Sequence, residues 1–175
     1  IGIAAGATSG TATVAAPGDD PYIDASTVSA TIATATGGNF ESLQIDPAAA
    51  STSVSDDVDA TMVSLSATAS VAEGGSIVYT ATLTNAAQAP VTVTLSSGET
   101  IAIAAGATSG SVSILAPADD VYIDGSTVSR TISSASGGNF ESLDVDATAA
   151  ATTATDTTGT TTAPTASDAA VAEGA

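Results

Sequence analysis

Apolar and polar residues alternate with a period of two along much of the chain. Ile77, Tyr79, Ala81 and Leu83 fall on one parity and Val78, Thr80 and Thr82 on the other, as in a strand with one face turned to a core. Val91, Val93 and Leu95 repeat the pattern after Pro90, and Ile101 with Ile103 and Val112 with Ile114 supply two more strands. Val128 and Ile132 share a face of a strand ending near Gly137-Gly138, and Phe140, Leu143 and Val145 are the last apolar anchors. Met62–Ala67 alternates more weakly, ahead of a turn at Glu73-Gly74-Gly75. Ser96-Ser97-Gly98 and Gly106–Gly110 are further turns. The alanine runs are too short, and too closely flanked by Thr and Gly, to bury a helical stripe. Seven or eight short strands between Gly, Ser, Asp and Pro turns predict an antiparallel β-sandwich. Its expected core is Leu65, Ile77, Tyr79, Val91, Val93, Ile101, Ile103, Val112, Ile114, Val128, Ile132, Phe140 and Val145. Arg130 breaks the pattern, sharing the parity of Val128 and Ile132; an end-of-sheet position with the guanidinium reaching outward accounts for it.

The pattern recurs at an interval of 100 residues. Ile101–Thr162 aligns with Ile1–Met62 without a gap, with 36 of 62 positions identical, and Val71-Ala72-Glu73-Gly74 returns as Val171-Ala172-Glu173-Gly174. A period this long is a whole domain in tandem rather than a solenoid unit. The expected division is residues 1–62 as the C-terminal part of one repeat with its linker, 63–162 as a complete repeat with its linker, and 163–175 as the start of the next. The segment after Ala149 is rich in Thr and Ala; its beginning extends the last strand, and Thr157–Pro164 reads as a short linker.

Composition narrows the partners. There are 19 acidic residues against one base, Arg130, with no Lys and no His, a net charge of −18. Nothing here neutralises phosphates, which argues against nucleic acid and against an anionic membrane surface. No stretch reaches the roughly 20 apolar residues of a membrane span. Without His, Cys or Lys the usual nucleophile and base pairs cannot be assembled, so an enzyme is not expected. Cysteine is absent, and with few aromatics the core of a repeat must be built from Val, Ile, Leu and Ala. A core of that kind is marginal without further support.

The acidic residues cluster. Asp119, Asp120 and Asp124 fall within one loop of the complete copy, and Asp19, Asp20 and Asp24 occupy the same places in the first. Carboxylates drawn together on one loop repel each other unless a cation sits among them. Ca²⁺ suits such a loop, since it takes roughly six to eight oxygens at about 2.3–2.6 Å in flexible geometry, whereas Mg²⁺ is more demanding. The spacing is not that of an EF-hand, which needs Gly at its sixth position and Glu at its twelfth. Glu73 begins a turn that a sandwich can place at the same end. A solvated acidic loop explains the same residues, and the pattern alone leaves both readings open.

Ser70–Gly75, Pro90–Leu95, the Ile103–Gly110 turn, Ala116-Pro117-Ala118-Asp119-Asp120-Val121-Tyr122 and Gly137-Gly138-Asn139-Phe140-Glu141 together resemble the tandem Ig-like extender repeats of giant bacterial RTX adhesins. They are similar to the calcium-binding repeat region of a marine bacterial ice-binding adhesin and, more loosely, to Calx-β domains. The resemblance implies an immunoglobulin-like fold and an extracellular place on a bacterial cell surface. It also implies Ca²⁺ ligands at Glu73, Asp119, Asp120 and Asp124, and at Asp19, Asp20 and Asp24 in the first copy. Asp156 and Asp56, each with the Glu of the following turn (Glu173 and Glu73), are implied as weaker candidates for an ion at the linker. The function implied is a calcium-stabilised spacer whose partners are neighbouring repeats of the same chain, holding a distal binding module of unknown ligand away from the cell. The alternative is a repeat that itself binds a surface glycan or protein by avidity. Direct ice binding would need long regular Thr rows, and Thr152-Thr153-Ala154-Thr155 is brief.

Overall fold

The computed structural model describes residues 1–164, which contain twelve strands and no helix. In chain order these are β1 (Ser26–Ala30), β2 (Ala50–Val54), β3 (Ala60–Ala67), β4 (Ser70–Ala72), β5 (Ser76–Leu83), β6 (Val91–Leu95), β7 (Thr100–Ile103), β8 (Ser109–Leu115), β9 (Ser126–Arg130), β10 (Ile132–Gly137), β11 (Ser142–Val145) and β12 (Ala150–Thr155). Strands β3 to β12 form three small sheets ordered β11-β3-β5-β8, β10-β6-β7 and β4-β12-β9, and β1 pairs with β2 alone.

The all-β expectation holds, but the wholly antiparallel one needs correction. β11 runs parallel to β3 and β12 runs parallel to β4, so two of the sheets are mixed. Period two is the same for either strand direction, so alternation carries no information about it. The parallel pairs arise because β11 and β12, the last two strands, lie beside β3 and β4, the first two of the complete copy.

One core joins all three sheets. Ile77, Tyr79, Ala81 and Leu83 meet Val91, Val93, Leu95, Ile101, Ile103 and Ile132 across it, with Ala150 and Ala154 from β12. Leu65, Val112, Ile114 and Val128 pack at its margin. Val145 does not belong: it is 37% exposed, because β11 is a four-residue edge strand and Val145 is its last residue. Val63, Thr61 and Thr152 are buried instead. The two threonines keep their hydroxyls satisfied, as burial requires: Thr61 Oγ1 accepts from Asn85 Nδ2 at 3.0 Å and Thr152 Oγ1 donates to the Thr68 carbonyl at 2.6 Å.

Arg130 ends its strand, as expected, and the parity conflict has a further cause. Val128 and Ile132 are not on one strand: the chain leaves the β4-β12-β9 sheet at Arg130 and enters β10-β6-β7 at Ile132. Parity is reset at Thr131, and the half-buried guanidinium folds back so that Nη1 donates to the Ser129 carbonyl at 2.9 Å.

The first copy repeats one part of this architecture. Ser26 faces Val54 and Ala30 faces Ala50 in β1-β2, as Ser126 faces Ala154 and Arg130 faces Ala150 in β9-β12, the same register 100 residues apart. Among the described residues no second sheet covers its apolar positions. Ile1 is 80% and Phe40 66% exposed, whereas Ile101 and Phe140 are buried.

Candidate metal centre

The β4-β12-β9 sheet determines where the acidic side chains go. Parallel pairing sets Thr155 opposite Ala72, and the Glu73 amide donates to the Thr155 carbonyl at 3.0 Å. Glu73 and Asp156, each one residue beyond its strand, therefore emerge side by side. Antiparallel pairing of Ala154 with Ser126 brings the start of β9, and Asp124 just before it, to the same end. The turn at Gly74, whose φ of 69° suits glycine, lets its amide reach the Pro117 carbonyl at 2.6 Å, while the Ala116 amide reaches the Gly75 carbonyl at 2.8 Å. These bonds tether the loop that carries Asp119 and Asp120.

The result is a triad: carboxylate oxygens of Glu73, Asp124 and Asp156 all lie within 4.8 Å of one another. Glu73 is only 8% exposed, and among the described residues its Oε2 has no hydrogen-bond partner; neither has the buried Oδ1 of Asp156. Burial pushes the Glu73 carboxyl above its ordinary value, and the charges of Asp124, Asp156, Asp119 and Asp120 push it further in the same direction. The only base, Arg130, ends β9 at the end opposite Asp124. A buried carboxylate oxygen without a donor is costly, and an oxygen-only donor set suits a hard cation such as Ca²⁺ or Mg²⁺ rather than a thiophilic one. The residues present fit a metal ion.

Asp119 and Asp120 lie around the triad rather than in it. Asp119 accepts from the Thr157 hydroxyl, tying the loop to the segment after β12, and Asp120 Oδ1 accepts from the Tyr122 amide at 2.7 Å. Asp156 thus joins Glu73 of its own repeat, where the sequence had suggested the Glu of the next; Glu173 lies outside the described residues.

The first copy builds a related cluster. The Asp24 amide donates to Asp56 Oδ2 at 3.0 Å, so Asp24 and Asp56 meet as Asp124 and Asp156 do. Asp56 faces Asp24 and Glu141. Asp19 shares a hydrogen bond with Asp57, which raises its pKa from 3.8 to about 6, and Asp20 Oδ1 accepts from the Tyr22 amide at 2.9 Å. Asp19, Asp24, Asp56 and Asp57 line one surface cleft of about 410 Å³. The Asp59 amide donates to Glu141 Oε2 at 2.6 Å, so residues from both copies meet here. The sequence reading missed Asp57, Asp59 and Glu141; the run Asp56-Asp57-Val58-Asp59 was the available signal.

Taken together these features define an all-β, multi-sheet domain with an acidic triad whose geometry could chelate a metal ion. The family model described as the LapA domain matches residues 1–57 and 59–157, and the chain belongs to that family. The architecture is consistent with a LapA-type, adhesin-associated extracellular fold. Among curated proteins none matches it. No helix among the described residues is long and apolar enough to cross a membrane.

Proposed function

We propose that the chain is a calcium-stabilised spacer in the stalk of a large bacterial cell-surface adhesin of RTX type. Each interval of 100 residues is one immunoglobulin-like repeat, and the array holds a distal binding module away from the cell. The observation that carries this reading is Glu73, buried with an unpartnered oxygen against Asp124 and Asp156. A spacer has no use for that burial unless a cation compensates it.

Glu73, Asp124 and Asp156 would hold Ca²⁺, with Asp119 and Asp120 adding field or water-mediated contacts. Asp19, Asp24 and Asp56, joined by Asp57, would do so at the junction. The bound ion supplies positive charge that offsets carboxylate repulsion. The chain's own part is to hold the strand ends β4, β12 and β9 together, so that the ligands converge only when the domain is folded. Binding to the folded state alone stabilises it by mass action, by about 2.7 kcal/mol per site at 100 times Kd.

Calorimetric titration with Ca²⁺, paired with melting curves in chelator, millimolar Ca²⁺ and millimolar Mg²⁺, tests the reading. A large rise in melting temperature with Ca²⁺ and a much smaller one with Mg²⁺ is expected. Equal stability in chelator and in Ca²⁺ would defeat the proposal.

A further inference from the structure

The same loop occurs twice in the chain, covered once and bare once. In the first copy Tyr22 is half-buried: its ring stacks on Phe140 of the second copy, with centroids 5.6 Å apart and planes inclined by 26°. Its hydroxyl donates to the Ala86 carbonyl at 2.6 Å. Backbone bonds flank the ring as one rung of antiparallel ladder, the Ile23 amide donating to the Asn139 carbonyl at 3.1 Å and the Glu141 amide to the Pro21 carbonyl at 3.2 Å. In the second copy the matching residues stand open: Tyr122 is 71% and Ile123 94% exposed.

Both halves of the contact are preformed. The Tyr22 and Tyr122 amides each donate to the Asp two residues earlier, so the loop has the same turn whether docked or bare. The receiving turn has the same backbone in both copies: φ is 102°, 86° and 61° at Gly137, Gly138 and Asn139, and 91°, 80° and 53° at Gly37, Gly38 and Asn39. Asn139 Nδ2 donates to Gln88 Oε1 at 2.8 Å and the Gln88 amide to the Gly138 carbonyl at 3.0 Å, which fixes the socket against the complete repeat. A contact between preorganised parts loses little entropy on forming. It is also head-to-tail, the kind that propagates along an array because each copy carries both halves.

We propose that the Asp-Asp-X-Tyr-Ile-Asp loop is a plug that locks each repeat to the next, with the Gly-Gly-Asn-Phe-Glu turn as its socket, and that the exposed Tyr122 loop docks onto a following copy of the repeat. This reading stands on the aromatic and backbone contacts and does not depend on calcium.

Tyrosine nitration mapped by mass spectrometry tests it, because the chain has three tyrosines in three settings. In the 175-residue chain Tyr122 should react fast, Tyr22 slowly and Tyr79, which is buried, not at all. In a longer chain that carries one additional copy of residues 63–162 after residue 162, the Tyr122 peptide occurs twice, and half of it should become protected by about tenfold or more, to the level of Tyr22, while the added copy's half stays fast. Replacing the added copy's equivalent of Phe140 by Leu should restore the reactivity of the protected half. Tyr122 equally reactive in the two chains overturns the proposal, as does Tyr22 reacting as fast as Tyr122 in the original. Both comparisons use unsubstituted sequence, so they decide the matter even if the Phe140→Leu copy folds poorly.

Discussion

Glu73 shows how a residue's surroundings set the sign of its contribution to stability. Its carboxyl, like those of Asp19, Asp24 and Glu141, has a pKa raised in the folded state. A carboxyl whose folded pKa exceeds its unfolded one favours the fold at low pH, and that advantage is lost as pH rises through the folded value. For Asp19 the window runs from 3.8 to about 6. In chelator, therefore, the melting temperature should rise as pH is lowered from about 7 to about 5. In saturating Ca²⁺ the slope should reverse, since protons then compete for the same oxygens. Glu73→Gln should raise the melting temperature in chelator, by removing one of three converging charges, and reduce the gain from Ca²⁺. Melting curves for both proteins across that pH range check both statements; a wild-type slope of the same sign with and without Ca²⁺ would show that these carboxyls are not the ligands.

At the scale of the element, the sequence makes the central strands plain and says little about the outer ones. Ile77 to Leu83 and Val91 to Leu95 face the core by parity, because one face is buried along their whole length. Val145 fails the same test since its strand is short and at an edge. Thr61 and Thr152 look like surface residues by type, and only a partner in a turn distant in sequence reveals them as core. The metal centre was half legible: the Asp loop and Glu73 stand out, but their convergence with Asp156 depends on the parallel β4-β12 pair, which alternation cannot disclose. The turn after β10 offers a test of how local geometry and packing combine. A methyl group at Gly138 would clash with the Phe140 ring, at a φ of 86° that side chains rarely adopt. Gly138→Ala should cost on the order of 1–3 kcal/mol. Gly38→Ala meets the same local strain, but Phe40 is exposed. It should leave the melting of the complete repeat unchanged. Equal destabilisation by both substitutions, measured by denaturant unfolding, would mean that the turn's conformation rather than its packing carries the effect.

For the whole molecule the question is what fixes the angle between copies. A net charge of −18 pushes acidic surfaces apart, and the junction gathers Asp19, Asp56, Asp57, Asp59 and Glu141 within one neighbourhood. Against that repulsion stand the Tyr22–Phe140 stack and a few backbone bonds. Uncompensated carboxylates strain a contact that small without opening it, so the joint should be closed in either condition but stiffest when cations are present. Repeats of this size should each add roughly 35–45 Å to an extended array, from ordinary strand lengths and rise. Small-angle X-ray scattering on a tandem polypeptide should thus report a rod in Ca²⁺ and a shorter, more flexible string in chelator. Sodium chloride separates the two roles of the ion. Salt at about 0.5 M screens exposed charges over a few ångströms but does not coordinate, so it should recover only part of the length lost to chelation. Full recovery in salt would make screening alone sufficient. A maximum dimension indifferent to chelation, with each copy still folded, would confine the ions to stabilising single repeats and leave the stiffness of the stalk to the aromatic joint.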